Sequence, residues 1–411
     1  MSAPSPAAPA PSPVVVWLRD LIRKPFFWGI VAIVALLLLN VVKDPAYLAI
    51  TVNPANGNLV GNLIDIMRSS APVLMIAVGM SLVIATGGID LSVGSVMAVA
   101  GAVSMEFLKY AGDSASIGVA FSALGLALLV SAAVGAFNGF LVAYVGLQPF
   151  ISTLVMMLAG RGLAKVITSG QNTAASNEPF RWIANGYVLG LPVVFLLALV
   201  LVIAAGLVVR RSALGLMIEA IGINPRASRM AGIQPKGLLL TVYILSGLLA
   251  GVAGIFSVAT VMTVDVTRTG SQMELDAILA VVIGGTSLAG GKFSVGGAAI
   301  GALLIATLDK TVLFLGVSSS ATPAFKAIVI VVLCLLQSQR VRSWFTSRRA
   351  SGGPGGGAGT RSAGDPPPSG GGGDGGADPG AHTVSSGDGA AASSPGGAGL
   401  ASDVEAKEVA A

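Results

Sequence analysis

Charge is scarce in this chain. Asp, Glu, Lys and Arg make up only 10% of its 411 residues, and hydrophobic residues make up 54%. A soluble domain carries about 25% charged residues. A soluble globular fold is therefore excluded, and the mean hydropathy of +0.84 is that of a polytopic membrane protein. Cysteine is almost missing: Cys334 stands alone inside an apolar run, so no disulfide framework can form. The single histidine, His382, lies near the C-terminal end, which argues against a histidine metal site or proton relay. No histidine pair, metal-ligand spacing or GxSxG elbow occurs. An intramembrane enzyme is accordingly not expected, and no catalytic residue or metal ligand is assigned. A phosphate-binding loop is absent too. Gly285 to Lys292 resembles one superficially, but its glycine spacing is wrong and Phe293 stands where Ser or Thr would hold magnesium. The net charge of +5 sits at helix ends, so a nucleic-acid partner is not expected.

Long apolar runs are what the chain has instead. About 20 apolar residues cross a bilayer, and ten such cores read as spans: 26–42, 71–87, 92–111, 117–137, 150–168, 187–209, 238–262, 275–290, 295–316 and 322–338. The expected fold is all-α, a polytopic membrane helical bundle of about ten transmembrane helices with some of them broken. Residues 14–345 form the transmembrane domain in this reading. Residues 1–13 are Ser/Ala/Pro-rich and 346–411 Gly/Ser/Ala/Pro-rich, too poor in large apolar side chains for a core, so both are expected to be disordered. Arg19, Arg23 and Lys24 before the first run mimic a signal peptide, but the run is long and no small-residue cleavage site follows. An uncleaved first helix is expected.

Basic clusters orient the bundle. They lie before the first run, between the sixth and seventh (Arg210, Arg211, Arg226, Arg229, Lys236), and after the tenth (Arg340, Arg342, Arg348, Arg349). Ten crossings place all three in the cytoplasm with both termini, leaving Arg181 and Arg268 outside as a minor violation. Gly135 with Gly139, Gly247 with Gly251 and Gly297 with Gly301 are small-residue pairs suited to close helix contact.

Two glycine-rich breaks interrupt these runs. Thr86 to Gly94 carries Gly87, Gly88, Asp90 and Ser92, and Gly284 to Lys292 carries Gly284 and Gly285. Irregular backbone at membrane depth survives only where protein or a wet cavity covers it, and paired interruptions in two halves point to a transport pathway. Asp90 has two readings that can coexist: a cap on the helix that follows, or a pathway and hinge residue. Glu274 and Asp276 open the eighth run, where acids suit the helix dipole or make a contact at the mouth of a pathway. Arg161, between Gly160 and Gly162, needs a partner, either a carboxylate on the eighth run or a substrate hydroxyl. Asn138 and Gln148 read as caps or interhelix hydrogen bonds.

The polar connection 211–233 reads as two short helices, 217–221 stopped by Gly222 and 225–231 stopped by Gly232, with Asn224 capping the second and Pro225 in its first position. Such a segment is either a plain surface loop or a docking element for a cytoplasmic motor. Glu219-Ala220-Ile221-Gly222-Ile223-Asn224, Arg226-Ala227 and Ala231-Gly232-Ile233 resemble the cytoplasmic loop of permeases in ABC importers for simple sugars, the ribose, xylose and galactofuranose systems. TGGIDLSVG at 86–94, Gln148-Pro149-Phe150 and Glu274 to Gly285 also fit that pattern. The likeness spans residues 60 to 340, and IEAIGIN (218–224), ELDAILAVVIGG (274–285) and LLQSQR (335–340) are most similar to the galactofuranose branch.

The resemblance implies an inner-membrane permease that pairs with a second permease chain, identical or related. It further implies a cytoplasmic ABC ATPase and an extracytoplasmic sugar-binding protein. ATP would be held by the ATPase, and no cofactor by this chain. The ATPase-coupling residues it implies are Leu214, Gly215, Glu219, Ala220, Gly222, Asn224, Ala227, Gly232 and Ile233. An ion-coupled secondary transporter is the rival, with Asp90, Glu106, Glu274, Asp276 and Asp309 as its candidate carboxylates. The tail is expected to have no transport role: a chain ended at Ala350 should retain full uptake in membrane vesicles, and loss of uptake at normal abundance would give the tail one.

Overall fold

In hydrocarbon no water is available to satisfy backbone amides and carbonyls, so apolar runs close into helices. The computed structural model describes residues 25–54, 57–318 and 321–337. The predicted terminal segments 1–13 and 346–411 lie outside these, as do the basic residues at both ends. The described chain is helical: α1 Pro25–Lys43, α2 Asn62–Ala85, α3 Val93–Ala111, α4 Ile117–Phe140 continued by a π-turn Leu141–Val145, α5 Pro149–Ile167, α6 Glu178–Asn185, α7 Val193–Arg211, α8 Ala213–Ile223, α9 Pro225–Met230, α10 Pro235–Val261, α11 Met273–Ile283, α12 Val295–Phe314 and α13 Thr322–Gln337. Three antiparallel ladders of two residues per strand join the loops: Thr51–Val52 with Leu59–Val60, Thr173–Ala174 with Thr263–Val264, and Tyr187–Val188 with Leu191–Pro192.

Among the described residues seven helices are long and apolar enough to cross a membrane: α1, α2, α4 with its π-turn, α5, α7, α10 and α12. Two of the ten predicted runs fall short of that standard: α11 has 11 residues, and α3 carries Glu106 and Lys109 in its last turns. The tenth, α13, is described only as far as Gln337. Other boundaries move as well. α2 begins at Asn62, nine residues before the predicted core, because its polar first turns are paired. Asp65 meets Lys310 of α12 at 2.6 Å, and the Arg68 guanidinium lies over the Tyr187 ring. The sixth run starts at Val193, since 187–192 folds as a hairpin, and α6 before it escaped the sequence reading. Gly222 does not stop α8, which runs on to Ile223.

Side-chain caps start five helices. Ser116, Asn177, Ser212, Asn224 and Ser294 each accept from a backbone amide in the first turn of α4, α6, α8, α9 and α12. Asn224 takes two, from Arg226 and Ala227, each at 3.0 Å, as its place before Pro225 predicts. Gln148 precedes α5 without a side-chain cap bond.

α2 and α10 form the centre. α10 packs on α2, α3 and α4, and α2 also packs on α7, α11 and α12. From Ala71 to Ala85 only Pro72 in α2 is not fully buried, as expected for a helix that is apolar on every side. The glycine pairs are where backbones meet. A Cβ on Gly247 would lie 2.6 Å from the Ser131 carbonyl oxygen and 2.9 Å from the Gly135 Cα, and one on Gly139 would lie 3.0 Å from the Leu240 Cα. Gly297 and Gly301 similarly abut the backbones of Gly284 and Ala280. In a bilayer, where apolar burial between helices gains little, this close packing is the main attraction. Gly247→Val is therefore expected to force α10 and α4 apart and cost about 1–3 kcal/mol or more. Thermal unfolding of the detergent-solubilised chain should show a clear drop in midpoint, and an unchanged midpoint would contradict this packing.

Candidate functional site

Three groups of predicted residues separate in the structure. The first is a glycine junction. After α2 the chain turns through Thr86 to Leu91, with Gly87 at φ +83°. After α11 it turns through Gly284 to Ser294, with Gly285, Gly290 and Gly291 at φ +90°, +87° and +86°. Only glycine adopts these angles without strain. The two turns meet: the Gly291 amide donates to the Ala85 carbonyl at 2.9 Å. The end of α8 lies against both. A Cβ on Gly222 would overlap the Ala85 carbonyl and the Gly291 amide, and one on Gly290 would lie 2.8 Å from the Gly222 carbonyl oxygen.

α8 is held there by its inward face. Ile218 and Ile221 are fully buried, and Ile218 packs in one cluster with Leu82, Val83 and Ala85 of α2, Val142, and Val242 and Tyr243 of α10. Gly215 is buried where α8 leaves α7, with no room for a side chain beside the Val209 carbonyl. Leu214, Glu219, Ala220 and Ile233 are half-buried, whereas Asn224, Ala227 and Gly232 are exposed. The outward face carries Leu216, Ile223 and Met230 at 74%, 72% and 90% exposure. These three large apolar side chains are a feature the sequence reading missed. Their signal was an apolar residue at every turn of a segment too short to cross a membrane.

Asp90 fastens the first turn to the bundle. Its Oδ1 accepts from the Ser92 amide at 3.0 Å and the Ser92 hydroxyl at 2.5 Å, and its Oδ2 accepts from the Ser246 hydroxyl of α10 at 2.8 Å. Asn138 of α4 donates to the Ser92 hydroxyl at 2.8 Å, and Thr153 of α5 donates to the Ile89 carbonyl at 3.0 Å. The amide it takes is that of Ser92, the N-cap residue of α3, whose first turn has no side-chain cap bond, so a cap alone is too narrow an account. Asp90 is 2% exposed, and its carboxylate and Ser92 link α3, α4 and α10 at one point.

The second group lies deeper. Between α10 and α11 the loop 262–272 folds inward against α3 and α5. Asp265 shapes its turn by accepting from the Thr267 hydroxyl at 2.7 Å and from the Thr267 and Arg268 amides, bonds that hold its carboxyl below the usual range. Arg161 Nη1 donates to the Thr269 carbonyl at 2.5 Å. That carbonyl was neither of the partners expected for Arg161. Glu274 stands nearby as an opposite charge without an ion pair to it, and its Oε2 is buried without a hydrogen-bond partner. Gly94 is obligatory opposite, since a Cβ there would overlap both the Gly270 carbonyl and Glu274 Oε2.

The third group parts Asp276 from Glu274. Asp276 meets Lys326 of α13 at 3.0 Å, and Lys326 also meets Asp309 of α12 at 2.8 Å, so the lysine joins α11, α12 and α13. Glu106, another candidate carboxylate, accepts from the Thr173 hydroxyl and pairs with Lys109 at 3.6 Å.

Residues 62–336 match the family described as the permease component of branched-chain amino acid transport systems. The chain belongs to this family of transport permeases. It is 52% identical over 331 residues to the fructose import permease of Bifidobacterium longum, covering 80% of this chain and 91% of that protein. It is 42% identical to the galactofuranose transporter permease of Escherichia coli (77% and 92% covered) and 40% identical to the Escherichia coli ribose import permease (68% and 87% covered). Of these three the fructose protein is nearer than the galactofuranose one. No solved structure matches the chain. Family membership and the seven apolar helices make this a multi-pass membrane protein.

Because Asp90 satisfies two hydroxyls and an amide, its variants should separate. Asp90→Ala leaves those buried donors unpaired and is expected to destabilise by about 1–3 kcal/mol. Asp90→Asn keeps an acceptor for Ser92 and should cost much less. Thermal unfolding of the two variants checks the order, and equal losses would mean that the charge, not the hydrogen bonding, matters.

Proposed function

We propose that the chain is the membrane-spanning permease subunit of an ATP-driven ABC importer that carries a simple sugar into the cytoplasm. The sugar class is supported by the relatives, named for fructose, galactofuranose and ribose. In this reading the chain crosses a bacterial inner membrane ten times with both ends in the cytoplasm. It works with a cytoplasmic ABC ATPase that holds the ATP, an extracytoplasmic sugar-binding protein, and a second permease chain.

The observation that carries the mechanism is the seat of Gly222 against both glycine turns. α8 and α9 are the coupling element. Their outward residues Leu216, Ile223 and Met230, with Asn224, Ala227 and Gly232 between them, fit a groove on the ATPase, while Ile218, Ile221 and Gly222 bear on the bundle. A push on α8 then reaches Ala85, Gly290 and Gly291 directly and, through the two turns they belong to, Gly87, Gly88, Gly284 and Gly285, and Asp90 with Ser92 passes it to α4 and α10. Arg161 and Glu274 line the pathway. A guanidinium and a free carboxylate oxygen offer the donors and acceptor that sugar hydroxyls need. Asp276, occupied by Lys326, holds α11 in place. Most carboxylates the ion-coupled alternative would use are already bonded to neighbours, which leaves Glu274 as its one candidate with a free buried oxygen among the described residues.

The test is sugar uptake in vesicles carrying the chain with its ATPase and binding protein. Met230→Glu puts a charge on the outward face, where 90% of the side chain is free, and should abolish both ATP-dependent uptake and co-purification of the ATPase. Uptake that ignores Met230→Glu and collapses with an uncoupler at constant ATP would instead establish ion coupling. Arg161→Gln should leave assembly normal and reduce uptake at least tenfold, since it removes a charged donor from the pathway. Failed assembly would make Arg161 a scaffold residue.

A further inference from the structure

A large cavity lies apart from all three groups. Beneath α6 an apolar wedge of about 1160 Å³ opens between α4 and α7, walled by Phe121 and Leu128 on one side and Leu197 and Leu201 on the other, with Phe256 of α10 behind. Among the described residues α4 and α7 form no substantial interface with each other. The wedge is at the end of the bundle opposite α8 and α9, near the first turns of α4 and α7. A space of that size in hydrocarbon is filled, and an apolar lining does not hold water. The occupant is therefore an acyl chain or another apolar segment.

The rim chooses between them. Glu178 and Arg181 stand one turn apart on α6, 3.7 Å from each other, with side chains 72% and 56% exposed. Trp182 beside them is 53% exposed, placed as indoles are at a membrane interface. An exposed carboxylate next to an exposed guanidinium matches a headgroup carrying an ammonium and a phosphate. An apolar helix entering the wedge would instead bury both charges. We propose that the wedge is a binding site for one zwitterionic phospholipid with a primary ammonium. Its acyl chains lie between α4 and α7, its phosphate at Arg181 and its ammonium at Glu178. The proposal rests on the membrane reading above but not on transport.

Trp182 reports the site directly. The full chain with Trp17→Phe, Trp28→Phe and Trp344→Phe keeps it as the one indole. Titrating this delipidated protein in detergent with phosphatidylethanolamine brominated on its tails should quench Trp182 fluorescence saturably, near one lipid per chain. Arg181→Gln should weaken that binding about tenfold, the scale of one charge-assisted phosphate contact. Glu178→Gln should erase the preference over brominated phosphatidylglycerol. Quenching that rises in proportion to total lipid and ignores Arg181→Gln would reduce the wedge to ordinary lipid contact and overturn the proposal. Disulfide cross-linking between two copies of a Phe121→Cys, Cys334→Ser chain in native membranes would put protein there and overturn it too. Loss of ATPase co-purification bears only on the transport reading, because the quenching is read on the permease alone.

Discussion

A single backbone contact organises the end of this bundle where α8 lies: the Gly291 amide on the Ala85 carbonyl, 2.9 Å apart. It joins the end of α2 to the turn after α11, two points 206 residues apart in the chain. The contact forms because Gly87 in one turn and Gly285, Gly290 and Gly291 in the other take φ angles that other residues reach with strain. Gly222 closes over the same carbonyl, so three segments share one small volume. Buried backbone groups must be paired, and this contact gives the open end of α2 a partner where no helix continues. A shift of α8 by a fraction of an ångström must therefore displace the amide, the carbonyl or both.

The neighbouring polar groups make that junction stiff rather than loose. Asp90 has no cation beside it, yet it is fully enclosed by two hydroxyls and an amide, and Ser92 passes the network to Asn138. Hydrogen bonds of this kind are strong where water is excluded, and an unmade one is costly. Motion imposed on the turn is therefore carried into α4 and α10 and not absorbed locally. Glu274 shows the opposite condition. Its Oε2 is enclosed without a donor, and Arg161, its natural partner in charge, spends a donor on the Thr269 carbonyl. A buried group in want of a partner, beside a turn lined by Gly94 and Gly270, is suited to a ligand that comes and goes.

Much of this was legible in the sequence, for reasons that can be named. Hydrophobic length marked the helices, and paired glycines marked their contacts, because both are local consequences of packing in lipid. Asn224-Pro225 marked a helix start for the same local reason. Both breaks were visible as glycines beside a carboxylate or a turn. What was hidden is which break touches which. Nothing local in Gly222 says that it lies on Ala85, and nothing in Arg161 names the Thr269 carbonyl, 108 residues away. The polar start of α2 was lost because its Asp65 and Arg68 find partners in Lys310 and Tyr187, far along the chain. α6 was lost because eight amphipathic residues carry too little periodicity.

The two helices that fall short of the membrane-crossing standard belong to this same logic. That standard measures what a helix needs when lipid surrounds it, and α5 and α7, exposed along most of their length, meet it. α11 does not meet lipid along all its depth. Its 11 residues rise about 16 Å at 1.5 Å each, roughly half of a 30 Å hydrocarbon core. The loop 262–272 occupies space at one end and the glycine turn 284–294 at the other. Both are irregular backbone, permitted because α3, α5 and α8 cover them. Shortening this helix is what creates room for Arg161, Glu274 and the glycine junction on either side of it. The deficit in apolar length and the concentration of unusual chemistry are therefore one feature of the fold.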